Sequence, residues 1–183
     1  MPDQPRTHWA MCLVVCALCV RGVSATVVLP ADFTTVAVES TMIVHGRVVS
    51  VESHLVGAQR MIESVVSLAV LRSLKGDAGG IVSFRVPAGE VGRYRRILVG
   101  APAFKNGDEI VVFLRGRAPS MPSVFGLNQG LYRVSRDAAA RPMVMPPRVT
   151  AGEERVVRGD PARVPVAIEV FASEVRSALE RSR

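Results

Sequence analysis

Few residues in this chain have the type and spacing that chemistry needs. Glu52 and His54 stand two apart in a β-branched stretch. An extended backbone would put both on one face, where they could share a metal ion. His45 has the opposite parity and does not join them. Two ligands do not make a site, because even an open catalytic zinc takes three from the protein. The most conspicuous acid pair is Asp108-Glu109, in the run Asn-Gly-Asp-Glu-Ile-Val-Val-Phe-Leu at 106–114. Carboxylates that cleave a glycoside face each other across a cleft, roughly 5–10 Å apart. Strand neighbours point to opposite faces, so this pair reads as the solvated start of a strand. Glu153-Glu154 falls in a polar loop and is no better placed.

Other constellations also fall short. The loop Gly76-Asp-Ala-Gly-Gly80 lacks the Gly-Lys-Ser/Thr ending of a phosphate cradle. There is no Gly-x-Ser-x-Gly elbow to pair a serine with either histidine. The sequence therefore predicts a non-enzymatic protein with no catalytic, cofactor-binding or metal residues. The alternative is a metal protein or metal-dependent enzyme using Glu52 and His54.

The start of the chain bears on compartment. Arg6 and His8 precede an apolar run, Trp9 to Val20, and Val23-Ser24-Ala25 supplies small residues for cleavage. The run is shorter than the roughly 20 residues that span a bilayer, and it suits a secretory leader. Residues 1–25 are expected to be a cleaved signal peptide with Thr26 as the new N-terminus; Arg21 keeps an uncleaved anchor as the alternative. All three cysteines (Cys12, Cys16, Cys19) lie in that segment. Residues 26–183 can hold neither a disulfide framework nor a thiolate site. No second apolar run has membrane length, so no transmembrane segment is expected after cleavage. The expected location is periplasmic or secreted.

Charge is positive and carried by arginine. The net formal charge is +7, and +6 without the leader's Arg6, Arg21 and Asp3. Lys75 and Lys105 are the only lysines. The densest basic cluster, Arg93-Tyr94-Arg95-Arg96, is short and holds one aromatic.

The elements that must position these residues read mainly as strands. Asp32 could cap a short helix ahead of Phe33–Ser40. Met42 to Val51 is β-rich, with Ile43, His45, Arg47, Val49 and Val51 on one face. Gly46 within it suggests a bulge or a barrel corner. Met61 to Leu74 is a second strand, offering Ile62, Val66, Leu68, Val70 and Leu71 to a core. Ile81–Val86 alternates strictly, and Pro87–Glu90 ends it. Arg95–Val99 reads as a short strand. Asn106-Gly107 has the composition of a type I′ turn. In Ile110–Leu114 both faces are apolar, which marks a central strand covered on both sides. Val124–Leu127 and Leu131–Val134 are two more short strands, and Met143–Met145 is an edge candidate. Residues 146–164 read as an irregular loop. From Val166 the apolar period turns helical, with Ile168, Phe171, Val175, Ala178 and Leu179 on one stripe, Ala167 as a good helix former and Pro165 suited to the first turn.

Short strands with frequent turns, internal glycines and one late helix point to a small OB-like antiparallel β-barrel with a C-terminal amphipathic helix packed on it. The expected organisation is residues 1–25 as leader, 26–145 as barrel, 146–164 as loop and 165–183 as helix.

Several short stretches also resemble a known group. They are Ile43–Val48, Leu74-Lys75-Gly76, Pro87-Ala88-Gly89, Gly100–Phe104, Asn106–Leu114 and Gly126–Gly130. Together they are similar to a set of uncharacterised exported bacterial proteins, over most of residues 40–135. Those proteins look like the OB-type barrels of netrin-like and metalloprotease-inhibitor domains. The resemblance implies an exported barrel. Inhibitors of that type chelate the target's zinc through an N-terminal cysteine, which residues 26–183 lack.

The functional expectation is an exported binding module whose partner is a protein or an envelope component. A protease-inhibitor-like version would act through loops 87–96 or 117–123. Single-stranded nucleic acid is the other partner class that OB barrels invite. That use needs exposed aromatics in a basic groove, and most aromatics here sit in apolar, core-like contexts, so nucleic acid is not expected.

Overall fold

The computed structural model describes residues 31–116, 118–151, 155–158 and 163–182. The expected leader and Glu153-Glu154 lie outside them. Helix α1 (Phe33–Glu39) opens the described chain, followed by β1 (Met42–Val56), β2 (Met61–Lys75), β3 (Ile81–Val86), β4 (Gly89–Val91) and β5 (Tyr94–Arg96). Next come β6 (Glu109–Arg115), β7 (Ser123–Val124), β8 (Leu131–Arg136) and β9 (Pro142–Met145). A hairpin of β10 (Arg148–Ala151) and β11 (Arg155–Arg158), then β12 (Val166–Ala167) and helix α2 (Ile168–Glu180), complete it.

The fold is mainly β, built on a closed five-strand barrel with a C-terminal helix. The barrel runs β1-β2-β3-β7-β6 and back to β1. Closure comes from the antiparallel pairing of β1 with β6, from Met42 opposite Leu114 to Arg47 opposite Glu109. β3 and β7 meet in parallel at Arg85 and Ser123. This order is the path of an OB-type barrel. Strands β8, β9 and β12 continue the sheet outward from β6.

Two cores share β6. Val44, Val48, Val66, Leu68, Phe84, Ile110, Val112 and Leu114 fill the barrel interior. Ile43, Val111, Phe113, Tyr132, Val144 and the two helices form the second core, outside the barrel wall. Ile110 to Leu114 are all fully buried. Burying one such side chain contributes about 1.5–3 kcal/mol. Five in a row therefore rival the ~5–15 kcal/mol net stability of a whole domain.

Local chemistry explains the supporting elements. Asp32 caps α1 by accepting from the backbone N–H groups of Thr34 (2.8 Å) and Thr35 (3.1 Å). The Thr35 hydroxyl donates to it as well and, as the largest influence, helps hold its carboxyl below the usual range. At the other end, Lys75 Nζ donates to the carbonyls of Ala37 (3.0 Å) and Val38 (2.7 Å), which the helix leaves unpaired. Gly46 marks a register shift in β1. A Cβ there would lie 2.5 Å from the Ala69 carbonyl oxygen and 2.7 Å from Leu68 Cγ, so only glycine lets the strands approach. In α2 the stripe Phe171, Ala172, Val175 and Ala178 is buried. Phe171 meets Tyr132 at 4.8 Å and Phe33 at 5.6 Å between ring centroids.

Some expectations change. A second register shift, between Val48 and Ser50, turns β1 over, so Val51 packs on the barrel interior instead of sharing the face of Val49. Leu71 is exposed rather than core, because the register passes from His45 opposite Arg72 to Gly46 opposite Val70 and skips it. Positive φ falls on Gly107 alone of the Asn106-Gly107 pair, and no strand precedes it, so the turn is not a type I′ hairpin. The strand expected at Arg95–Val99 is β5, Tyr94–Arg96, and residues 97–99 lie outside it. The segment expected to be irregular, 146–164, contains the β10–β11 hairpin. Val166-Ala167 pairs with β9 before the helix starts, so Pro165 precedes a strand and Ala167 is the helix cap rather than its first turn.

Candidate functional site

The acid pair separates as strand geometry requires. Glu109 projects from the outer wall of the barrel, on the face of Val111 and Phe113. Its Oε1 lies 3.0 Å from His45 Nε2, its Oε2 lies 3.3 Å from Arg47 Nη2, and Arg136 Nη2 is 3.6 Å away. Strands β1, β6 and β8 each supply part of this cluster. Glu109 and His45 are only 14% and 12% exposed, while the two guanidiniums reach solvent. Burial raises the Glu109 carboxyl, but hydrogen bonds from His45 and Arg47 and the charge of Arg136 outweigh it and leave it below the usual range. Glu109 is thus an enclosed ionic hub, not the solvated strand start expected from its position. A second pair, Arg72 to Glu169 at 2.8 Å, ties β2 to the first turn of α2.

Asp108 points the other way. Its Oδ2 accepts from the Lys105 backbone N–H at 2.9 Å and pairs with Arg133 Nη1 at 2.8 Å. Arg133 also donates to the Ala103 carbonyl. The carboxylate closes the 105–108 turn and fixes the loop that leads into β6. The two acids act on different elements and cannot share a substrate atom.

Glu52 and His54 lie on the far arm of the β1–β2 ribbon, both exposed. His54 stands opposite Glu63 in register, and Glu52 opposite Val65. Among the described residues, no group of three or more His, Cys, Asp or Glu side chains is arranged to hold a metal ion.

The same arm carries a feature that sequence periodicity missed. Strands β4 and β5 form a hairpin with two turn residues, Gly92 and Arg93, between Val91 and Tyr94. Gly92 has φ +59°, the positive value a tight hairpin turn needs. Serines fasten this hairpin to the ribbon. Ser53 Oγ and Ser64 Oγ are 2.8 Å apart, Ser64 Oγ donates to the Ala88 carbonyl at 2.6 Å, and the Glu90 N–H donates to Ser53 Oγ at 3.2 Å. A Cβ on Gly89 would stand 2.3 Å from Ser64 Oγ, so glycine is what lets the two layers touch. Arg96 Nη1 donates to the Ile62 carbonyl at 3.2 Å and holds the far strand. The signal was present as Gly-Glu-Val-Gly-Arg-Tyr; its strands are too short for alternation to register.

Beyond this hairpin the chain turns outward. Ile97 is 75% exposed, Val99 67% and Tyr94 59%, and Leu98 is partly exposed too. The Leu98 carbonyl accepts from the Ala101 N–H at 2.9 Å, which closes the loop. Arg93 Nη2 donates to Tyr94 Oη at 3.0 Å, and its guanidinium lies 5.2 Å from the ring centre. The other expected loop, 117–123, exposes Met121 and borders a cavity of about 220 Å³ lined by Glu63, Arg85, Pro87, Pro102, Ser123 and Leu127; residue 117 lies outside the described part. A larger cleft of about 550 Å³ lies where α1 meets α2, with Arg163 stacked 3.4 Å over Phe33.

Phe33, Phe84, Phe113, Phe125, Tyr132 and Phe171 are buried, and Phe104 packs against Phe84 on the interior core. Among the described residues the aromatic side chains thus serve the two cores, and Tyr94 is the one that stands well out.

Fold and site together describe an OB-type barrel with a helix-covered outer wall and a fastened, exposed hairpin. No family model, curated protein or solved structure matches the chain.

Proposed function

We propose that the protein is an exported, non-enzymatic binding module whose contact surface is the β4–β5 hairpin and the loop that follows it. The observation that supports this most is a contrast within one loop. Serine, glycine and arginine contacts fix the base of the hairpin, while Tyr94, Ile97 and Val99 stand in solvent. Large apolar side chains clustered on a held loop are a mark of interaction surfaces. The ionic groups support the same reading, since Asp108 and Glu109 are engaged in holding strands and turns. Export is the reading of the leader expected at 1–25 and of the resemblance to exported bacterial barrels. The partner is a protein or a component of the cell envelope.

The test is capture from envelope and secreted fractions on protein immobilised by a C-terminal tag. A protein, lipid or polymer is expected to be enriched by the natural chain and lost with Ile97→Ser/Val99→Ser. Equal recovery by both proteins, or no enrichment, overturns the reading.

A further inference from the structure

We infer that the partner of the 91–100 surface is an anionic lipid surface. This assignment rests on the binding-module reading above and narrows it. Two features of the loop act together. Ile97, Leu98 and Val99 are three consecutive aliphatic residues, all exposed, carried on a loop rather than lining a groove. Arg93, Arg95 and Arg96 adjoin them, against one acid, Glu90, in the same hairpin. Membrane association needs both terms, because a short apolar insertion holds only marginally until basic residues add attraction to anionic headgroups. Tyr94 supplies the third part. Its ring is apolar and its hydroxyl polar, the combination found at headgroup depth, and Arg93 already lies against it. Arginine suits this role because its guanidinium is weakly hydrated and binds phosphate in bidentate fashion.

The base of the loop is arranged for such a landing. Arg96 is partly buried and tied to the Ile62 carbonyl. Arg93 and Arg95 are exposed and stay available to headgroups. The serine contacts at Ser53 and Ser64 hold the hairpin to the ribbon, so little loop ordering is left to oppose binding. A nucleic-acid partner would use a series of exposed aromatic platforms, and here Tyr94 is a single one beside three exposed aliphatic side chains.

Hydrogen exchange read by mass spectrometry on the full chain tests this, because it locates contact by segment and separates the loop from residues 1–25. The probes are vesicles of phosphatidylcholine alone and of phosphatidylcholine mixed with phosphatidylglycerol. The mixed vesicles are expected to slow exchange across 91–100, and the neutral ones to leave it unchanged. Raising salt should weaken the effect. Arg93→Gln/Arg95→Gln should lower the vesicle partition coefficient roughly thirtyfold, about fivefold for each of the two arginines removed from an anionic surface. Ile97→Ser/Val99→Ser should remove protection of the loop while exchange in 110–114 stays as slow as in the natural chain, which shows that the barrel is intact. Unprotected 91–100 on mixed vesicles, equal protection by neutral vesicles, or protection confined to 1–25 overturns the lipid assignment. If mixed vesicles fail while a protein is captured through Ile97 and Val99, the lipid assignment falls and the binding module stands. If both fail, both fall.

Discussion

Replacing Glu109 by Gln keeps the shape of the outer-wall hub and removes its charge. The contact to His45 Nε2 at 3.0 Å survives as a neutral hydrogen bond. Charge-assisted bonds contribute about 1.5–3 kcal/mol and neutral ones about 0.5–1.5, so this change costs on the order of 1 kcal/mol. Arg47 and Arg136 are more than half exposed. Their pairing with Glu109 adds about 0.2–1 kcal/mol each at most. The variant should lose about 1.5–3 kcal/mol at neutral pH, read as a lower urea midpoint with an unchanged slope. The pH dependence carries a sign. The carboxyl sits below its ordinary value in the folded protein, so its stabilisation is fully present above the ordinary glutamate range. It fades as pH falls through the lower folded value. The gap between natural and variant midpoints should therefore close as the solution is acidified. A gap that stays constant into strong acid, or no gap at neutral pH, would refute the account of the hub.

Val112→Asp places a carboxylate in the fully buried barrel interior. It forfeits about 1.5–3 kcal/mol of burial and adds several kcal/mol of desolvation, so no cooperative unfolding transition is expected by circular dichroism. A folded Val112→Asp protein would mean the core is misplaced. Asp108→Asn keeps an oxygen for the Lys105 N–H and should shift the urea midpoint by less than about 1 kcal/mol in stability. Phe171→Ala opens the outer core and is expected to cost about 3–5 kcal/mol, measured in the same titration, while Leu71→Ala, on an exposed residue, should cost about 0.5 kcal/mol or less. Metal analysis of purified protein should return no stoichiometric zinc; zinc that is lost in His54→Ala would revive the metal reading.

How legible each feature is in the sequence depends on how far it rests on near neighbours. Ile110–Leu114 declared itself because both faces of one strand are apolar, and the strand indeed divides two cores. The stripe of α2 and the cap at Asp32 are local patterns, and both were readable. Val51 was misassigned because a bulge reverses parity, and nothing in Val48-Val49-Ser50 announces which residue is skipped. The hub around Glu109 was hidden because its members come from three strands. His45 and Glu109 lie 64 residues apart in sequence and meet only when the barrel closes. The β4–β5 hairpin escaped because its strands are three residues long and its contacts run to serines on another ribbon.

Closure of the barrel through β1 and β6 also governs when this chain can fold. Thr41 to Arg47 finds its second neighbour only after residues 109–114 exist. Contacts so distant along the chain oppose rapid folding, because the ordering of the intervening loop comes before the reward. A growing chain that has presented its first hundred residues still holds an open ribbon, with Val44 and Val48 lacking the Ile110 and Val112 side chains that complete their core. The interior core is therefore completed late: β1, β2 and β3 can pair among themselves, but the barrel has no closed wall until β6 joins β1.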